Sequence, residues 1–215
     1  FQAKPNTHVC PVCLGLPGAL PVPNKAALEK LMLLGKALRC ALSENSYFER
    51  KHYFYPDLPK GYQISQYRAP LCTNGFLKIS DLKSQNAVSD SVSVSKKIRV
   101  NRVHMEEDTA KLKHQGGKTQ IDFNRSGVAL IEIVSEADMC SAAEAKEYLK
   151  ELARLIRWLD VSDADMEKGT MRLEANVSIQ ESGKYRVGDS TVVAIGNHML
   201  NSRTELKNIN SFRFV

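Results

Sequence analysis

Long apolar runs are missing from this sequence. No stretch of its 215 residues approaches the ~18 uninterrupted apolar positions that a membrane helix needs, so no membrane partner is expected. The opening FQAKPNTH lacks the charged-then-apolar order of a secretory leader, and it begins on Phe rather than Met, which reads as an internal piece of a longer protein. Cysteine is sparse and odd in number: Cys10, Cys13, Cys40, Cys72 and Cys140 are too few for a disulfide scaffold and fit a reducing compartment. There is no internal repeat. There is also no Walker loop, G-x-S-x-G or H-E-x-x-H, so those nucleotide and hydrolase mechanisms have no support. What is present is ordinary: 43% hydrophobic and 25% charged residues exclude disordered, collagen-like and coiled-coil chains. Thirty Lys and Arg against 24 Asp and Glu leave a net charge of +6, compatible with a solvated basic surface or with an anionic partner such as a nucleotide or nucleic acid.

The first loop, CPVCLGLPGALPVPN, is kept irregular by its prolines and glycines. Asn24 then caps an expected helix over 25–42, with Ala27, Leu31, Leu34, Leu38 and Leu42 on its core face. FERKHYFYPDLPKGYQISQY reads as extended and turn-rich, and the Ser-rich stretch 80–97 as a hairpin or surface excursion. From residue 98 strands dominate: the alternating IRVNRVHMEE and the nearly continuous apolar run GVALIEIVS. A second helix begins at an S-x-x-E capping box, Ser141 and Glu144. Its apolar stripe is Tyr148, Leu149, Leu152, Leu155, Ile156 and Leu159. Residues 171–179 alternate as a strand, with Met171, Leu173, Ala175, Val177 and Ile179 on one face and Arg172, Glu174, Asn176 and Ser178 on the other. Residues 181–201 show no strong pattern, and 203–208 read as a further strand. Antiparallel strands with two helices predict an α+β fold.

Several clusters bear on chemistry. His104-Met-Glu-Glu-Asp108 sits at a strand end, where alternation puts His104 and Glu106 on one face and Glu107 on the other. Hard carboxylate oxygens there suit Mg²⁺ beside phosphates; the plainer reading is a solvated acidic turn. Glu132, inside LIEIV, needs a pairing partner, a metal or a water-facing pleat, because an isolated buried carboxylate costs several kcal/mol. Acids on two strands can converge across a sheet face on one cation. The polar face of 172–178 reads either as an ordinary solvated strand face or as a phosphate fork, amine partner and carbonyl reader. Cys10 and Cys13 form C-P-V-C, half of a tetrahedral zinc knuckle, a plain structural turn or a redox pair; Cys40, Cys72 and Cys140 are expected to pack as small apolar groups. The aromatic and basic stretch around Tyr55, Lys60, Tyr62 and Gln63 suits stacking of bases or lining of a pocket, or else plugs a core edge.

Six segments, CPVCLGLPG, YFYPDLPKGYQISQY, HMEED, DFNRSGV with LIEIVSE, DMEKGTMR with EANVS, and ELKNINSFRFV, together resemble the B subunit of the tRNA-dependent aspartyl/glutamyl-tRNA amidotransferases, in the same order and across nearly the whole chain. The resemblance implies a single catalytic cradle domain over 1–215, an antiparallel sheet with helices behind it of the glutamine synthetase/guanido kinase type. It implies a ligase that phosphorylates the side-chain carboxylate of Glu-tRNA(Gln) or Asp-tRNA(Asn) with ATP and Mg²⁺. Ammonia would come from the partner amidase, the A subunit, with the small C subunit completing the complex; a non-catalytic tRNA-binding or assembly role is the alternative. It carries metal and catalytic roles to Glu107 and Glu132, a catalytic role to Arg172, and substrate or nucleotide contacts to Tyr55, Lys60, Tyr62, Gln63, Asn176, Glu205 and Lys207. The implied location is bacterial cytoplasm, with mitochondrial matrix or plastid as alternatives. The family's opening G-L-E-V-H strand and its upstream Cys pair would precede Phe1, and its helical and tail domains would follow Val215. Cys10 and Cys13 are therefore half a site, with zinc expected in the complete protein. Glu174 stands where the family usually has Asp, and 181–201 lengthens a connection that is normally short.

Overall fold

The computed structural model describes residues 3–82, 94–188 and 192–212. The order of elements is α1 (Lys25–Ala37), β1 (Ala41–Leu42), β2 (Glu49–His52), β3 (Tyr62–Ser65), β4 (Cys72–Leu82), β5 (Val94–Glu107), β6 (Lys111–Gln115), β7 (Lys118–Asp122), a 3₁₀ turn (Phe123–Arg125), β8 (Ala129–Ser135), α2 (Ala142–Trp158), β9 (Leu173–Val177), β10 (Tyr185–Val187), β11 (Val192–Ala194) and β12 (Thr204–Ile209). The expected α+β class holds. A six-stranded sheet runs β1-β4-β5-β3-β2 with β8 also paired to β5, and three two-stranded ribbons, β6-β7, β9-β12 and β10-β11, complete the strands. The chain divides into two compact units, the first comprising Phe1–Ala37, Ala41–Thr73 and Arg102–Ile133, the second Leu38–Cys40, Asn74–Asn101 and Val134–Val215.

In the first unit, α1 begins where Asn24 Oδ1 accepts the Ala27 N–H at 3.1 Å, as the capping signal predicts. It buries Leu31 and Leu34, and Gly35 leaves the space that the Cys72 side chain fills. The helix ends five residues earlier than expected. Arg39 adopts φ 57°, which an α-helix excludes, so Leu42 lies outside the helix as an exposed residue of β1. The β2–β3 pair is antiparallel, with Lys51 opposite Gln63 and His52 opposite Tyr62, and Ser65 pairs with Glu106 of β5. Gly116 and Gly117, at φ 58° and 71°, form the two-residue turn between β6 and β7, the positive-φ geometry that matches the twist of a hairpin. The amino-terminal loop is fastened by an exchange of amide bonds: Asn6 Nδ2 donates to the Ile121 carbonyl at 3.0 Å and Asn6 Oδ1 accepts from the Phe123 N–H at 2.8 Å.

In the second unit, Ser141 caps α2 by accepting the Glu144 N–H at 3.2 Å. The Glu144 carboxylate does not close the reciprocal box onto Ser141. It accepts from the Cys140 N–H at 2.7 Å and pairs with Lys96 at 2.7 Å. Tyr148, Leu149, Leu152, Ala153 and Ile156 form the buried face, so Ala153 joins the expected stripe while Leu155 and Leu159 are half-buried. At the other end Arg157 donates to the carbonyls of Asp163 and Ala164 at 2.7 and 2.8 Å, tying the following loop to the helix.

Three further expectations change here. The strand at 171–179 is confined to Leu173–Val177, whose partner among the described residues is β12, and Val177 and Ile179 are exposed. The stretch 181–201 contains the antiparallel β10–β11 pair, with Tyr185 opposite Ala194. Of the three isolated cysteines, Cys72 is buried and Cys40 half-buried, but Cys140 is exposed just before α2. Most of the expected excursion at 80–97, residues 83–93, lies outside the described residues.

Candidate functional site

Three side chains of the first unit converge from two strands. His104 and Glu106 share one face of β5, and Glu132 reaches them from β8. His104 Nε2 lies 3.5 Å from Glu106 Oε1 and 3.5 Å from Glu132 Oε2, and one donor atom from each residue falls within 4.8 Å of the others. Among the described residues this is the one group of three or more His, Cys, Asp or Glu side chains with such spacing. The His104 side chain is fully buried, Glu106 is mostly buried, and Glu132 is 43% exposed, so the cluster opens toward solvent through Glu132. Every residue of β8 is at least partly exposed, which moderates the desolvation cost expected for an acid in that run.

Neither ring nitrogen of His104 has a hydrogen-bond partner among the described residues, although both are buried. Leaving a buried polar atom unpaired costs about 1–3 kcal/mol, more than a surface polar contact returns. The two carboxylates are biased in opposite directions. Burial pushes Glu106 up, but the approach of the His104 ring and the Ser65 hydroxyl (Ser65 Oγ to Oε1, 2.7 Å) outweighs it and holds Glu106 below the usual carboxylate range. Glu132 is raised, first by burial and then by the charge of Glu106, against weaker opposing pulls from His104, Arg102 and Lys51. Of the two, Glu132 takes up a proton first.

Glu107 lies on the other face of β5, as strand alternation requires. It is not a member of the group formed by His104, Glu106 and Glu132. Lys60 Nζ pairs with Glu107 Oε1 at 2.8 Å, and the Ile64 N–H donates to the same oxygen at 2.9 Å. Gln63, also buried, donates through Nε2 to the Glu107 carbonyl at 2.6 Å and approaches Glu106 Oε2 at 3.4 Å. Lys60 and Gln63 thus direct their donors into the β3–β5 framework. Tyr62 carries the Arg50 guanidinium 4.7 Å above its ring, and Tyr55 is exposed. Asp108, the last acid of the motif, is held by Arg125 through Nη2 at 2.7 Å and Nε at 3.0 Å.

The donor set fits a divalent cation. Two carboxylates supply hard oxygens, and donors at about 2.1 Å from one Mg²⁺ lie no more than about 4.2 Å apart, so a small closing movement suffices. The resemblance carries the metal role within the HMEED motif to Glu107, whereas the residues that the structure groups with Glu132 are His104 and Glu106. Alternation places them together, but the pairing of β8 with β5, which brings up Glu132, has no local signal. For zinc, Cys10 and Cys13 bring their sulfurs to 3.1 Å and the Cys13 N–H faces Cys10 Sγ at 3.5 Å, a thiol-pair turn supplying two ligands. Among the described residues no third ligand joins them. The Cys13 N–H, the largest influence on Cys10, lowers that thiol, whereas burial raises Cys13.

Arg172, Asn176, Glu205 and Lys207 belong to the second unit. Glu205 pairs directly with Asn176 across β9–β12, and Lys207 lies 3.3 Å from Glu205 and 3.9 Å from Glu174. These charges are exposed on an open ribbon. Among the described residues no helix is long and apolar enough to cross a membrane.

Comparison with known sequences matches residues 1–215 to the GatB/GatE catalytic domain. Similar curated proteins include the B subunits of the aspartyl/glutamyl-tRNA(Asn/Gln) amidotransferases of Persephonella marina (49% identical), Thermodesulfovibrio yellowstonii (48%) and a Roseiflexus species (47%), each over the whole of this chain. The chain spans about two-fifths of their length: 40%, 41% and 39% respectively. The chain belongs to the GatB/GatE catalytic domain family.

Proposed function

We propose that this chain carries the ATP-dependent activating step of tRNA-dependent transamidation: phosphorylation of the side-chain carboxylate of Glu-tRNA(Gln) or Asp-tRNA(Asn), which ammonia from a partner amidase then converts to the amide. One observation carries the reading: in a chain matched from end to end by a catalytic-domain family, β5 and β8 bring Glu106 and Glu132 together beside a buried imidazole. A free carboxylate is a poor electrophile because it would have to expel an oxide. Transfer of the γ-phosphoryl group to its oxygen makes an acyl phosphate, ammonia attacks the carbonyl carbon, and inorganic phosphate leaves. Bound Mg²⁺ would neutralise the phosphate oxygens.

The chain's own residues hold and orient. Ser65 fixes one Glu106 oxygen, the Lys60–Glu107 pair fixes β3 against the end of β5, and Glu132 faces the solvent side where a nucleotide enters. Arg172, Asn176, Glu205 and Lys207 are assigned to the substrate or nucleotide, with Arg172 opposing developing negative charge. Tyr55 and Tyr62 suit the acceptor end of the tRNA, by stacking. The sheet and helices would form a cradle of the glutamine synthetase/guanido kinase type. The amidase (A) and small (C) subunits and misacylated tRNA are the partners, the +6 charge suits the last of these, and the location is bacterial cytoplasm or a derived organelle. Zinc would occupy Cys10 and Cys13 once the complete protein supplies two more ligands.

The test uses the complete protein assembled with its partner subunits. ADP should form with glutamyl- or aspartyl-tRNA and not with uncharged tRNA. Equal ADP formation with both would contradict the assignment.

A further inference from the structure

We propose that one face of the β6–β7 ribbon is a contact surface for the phosphate backbone of an RNA, held through Lys111, Lys113 and Lys118. The proposal rests on the reading that misacylated tRNA is the substrate, and it names a surface outside the β5–β8 cluster that would hold it. Alternation puts Lys111, Lys113 and Gln115 on one face of β6, and the register sets Asp122, Gln120 and Lys118 directly opposite them on β7. The one acid of this face is already engaged: Asp122 Oδ1 accepts the N–H of Asn6 at 3.1 Å and of Asn124 at 3.0 Å. The three lysines are exposed, and among the described residues none of them forms an ion pair. The other face does the anchoring. There Leu112 and Ile121, opposite one another, are half-buried, and His114 Nδ1 meets Thr119 Oγ1 across the ribbon at 2.9 Å.

Lys111 and Lys113 stand about 6.8 Å apart along β6, and Lys113 and Lys118 are diagonal neighbours at about 7–8 Å. Like charges at these distances repel, so a ribbon kept for packing alone would be better served by interleaved acids. The lysines follow an open strand pair instead of converging on one point. That suits a line of charges such as successive phosphates, not a single phosphate group. The ribbon is also held in place: Gly116 and Gly117 close it at one end, and at the other Asn6 Nδ2 donates to the Ile121 carbonyl at 3.0 Å. Lysine contacts to phosphate position a nucleic acid without reading its bases. Gln115 and Gln120, on the same exposed face, offer amides to the 2′-hydroxyls that line the shallow minor groove of an RNA helix.

The probes are Glu-tRNA(Gln) and an uncharged tRNA of another identity, each bound without ATP to the complete protein in its assembled complex over a range of salt. The triple variant Lys111→Gln/Lys113→Gln/Lys118→Gln should weaken binding of both RNAs about 10- to 100-fold at about 0.1 M salt. It should also make the fall of log K with log salt shallower by about 2 to 3. Lys111→Arg/Lys113→Arg/Lys118→Arg keeps the charges and should keep both affinity and slope, which separates lost charge from a lost fold. Unchanged affinity and slope in the glutamine variant, an equal loss in the arginine variant, or a loss confined to one of the two RNAs overturns the inference. So does release of a partner subunit by the glutamine variant, which would assign the ribbon to an acidic protein face. ADP formation by the unaltered complex is a separate readout: its absence contradicts the proposed activity, and its presence beside an unaffected salt slope overturns the ribbon contact alone.

Discussion

Lys60 Nζ and Glu107 Oε1 lie 2.8 Å apart with their side chains only 3% and 8% exposed, a buried ion pair joining the loop before β3 to the last residue of β5. Its neighbour in sequence, Glu106, points to the opposite face and meets His104 and Glu132. Adjacent acids in one motif therefore do different work: one fixes the frame, the other presents charge.

Removing one member of this pair strands the other in the interior. Lys60→Met should destabilise the protein by about 3–5 kcal/mol, whereas Lys60→Met combined with Glu107→Leu should recover most of that loss. Urea unfolding of the three proteins decides it; a loss below about 1 kcal/mol in the single variant would contradict the buried pairing.

Gly15 holds the CPVCLG loop against the turn at Pro59. Its φ is +64°, and a Cβ there would stand 2.8 Å from the Pro59 carbonyl carbon and oxygen and 2.9 Å from the Lys60 nitrogen, all backbone atoms. Strain and overlap add, so Gly15→Ala should cost more than about 1 kcal/mol in thermal or chemical unfolding, and Gly18→Ala, with open space around it, less. Equal costs would place the loop elsewhere.

The Arg99–Asp138 pair of the second unit gives a pH dependence. Burial pushes Asp138 up, but bonds from the Arg99 side chain and backbone N–H, at 2.6 to 3.2 Å, outweigh it and hold Asp138 below its ordinary value of 3.8. A depressed carboxyl pKa contributes stability that is fully present above 3.8 and is lost as pH falls through the lower folded value. Asp138→Asn should therefore be less stable than wild type at neutral pH, with the difference shrinking in acid below 3.8. A difference independent of pH would rule out this linkage.

Much of the local structure was legible because its causes are local. Asn24 and Ser141 announce the two helix starts by the hydroxyl or amide oxygen each offers, and the stripe from Tyr148 to Ile156 marks the buried face of α2. Strand alternation also separates Glu107 from His104 and Glu106. The end of α1 was not legible: leucines continue the helical period to Leu42, and the break comes from the backbone at Arg39. Nor was the choice of partner across the sheet. That Glu107 meets Lys60, and Glu132 meets Glu106, depends on how β3 and β8 pair with β5, a long-range matter that residue pattern does not encode. The β10–β11 pair was hidden because two strands of three residues each are too short to show an alternation.

The most direct measurement is ADP formation by Glu132→Gln in the complete, assembled protein supplied with misacylated tRNA. The substitution keeps the shape of the side chain and removes its charge. The rate should fall by about 100-fold or more while tRNA binding is unchanged, as expected when an acid that holds a catalytic cation is neutralised. Undiminished ADP formation would show that the Glu132 cluster is not the catalytic cation site and would favour an assembly role for this protein.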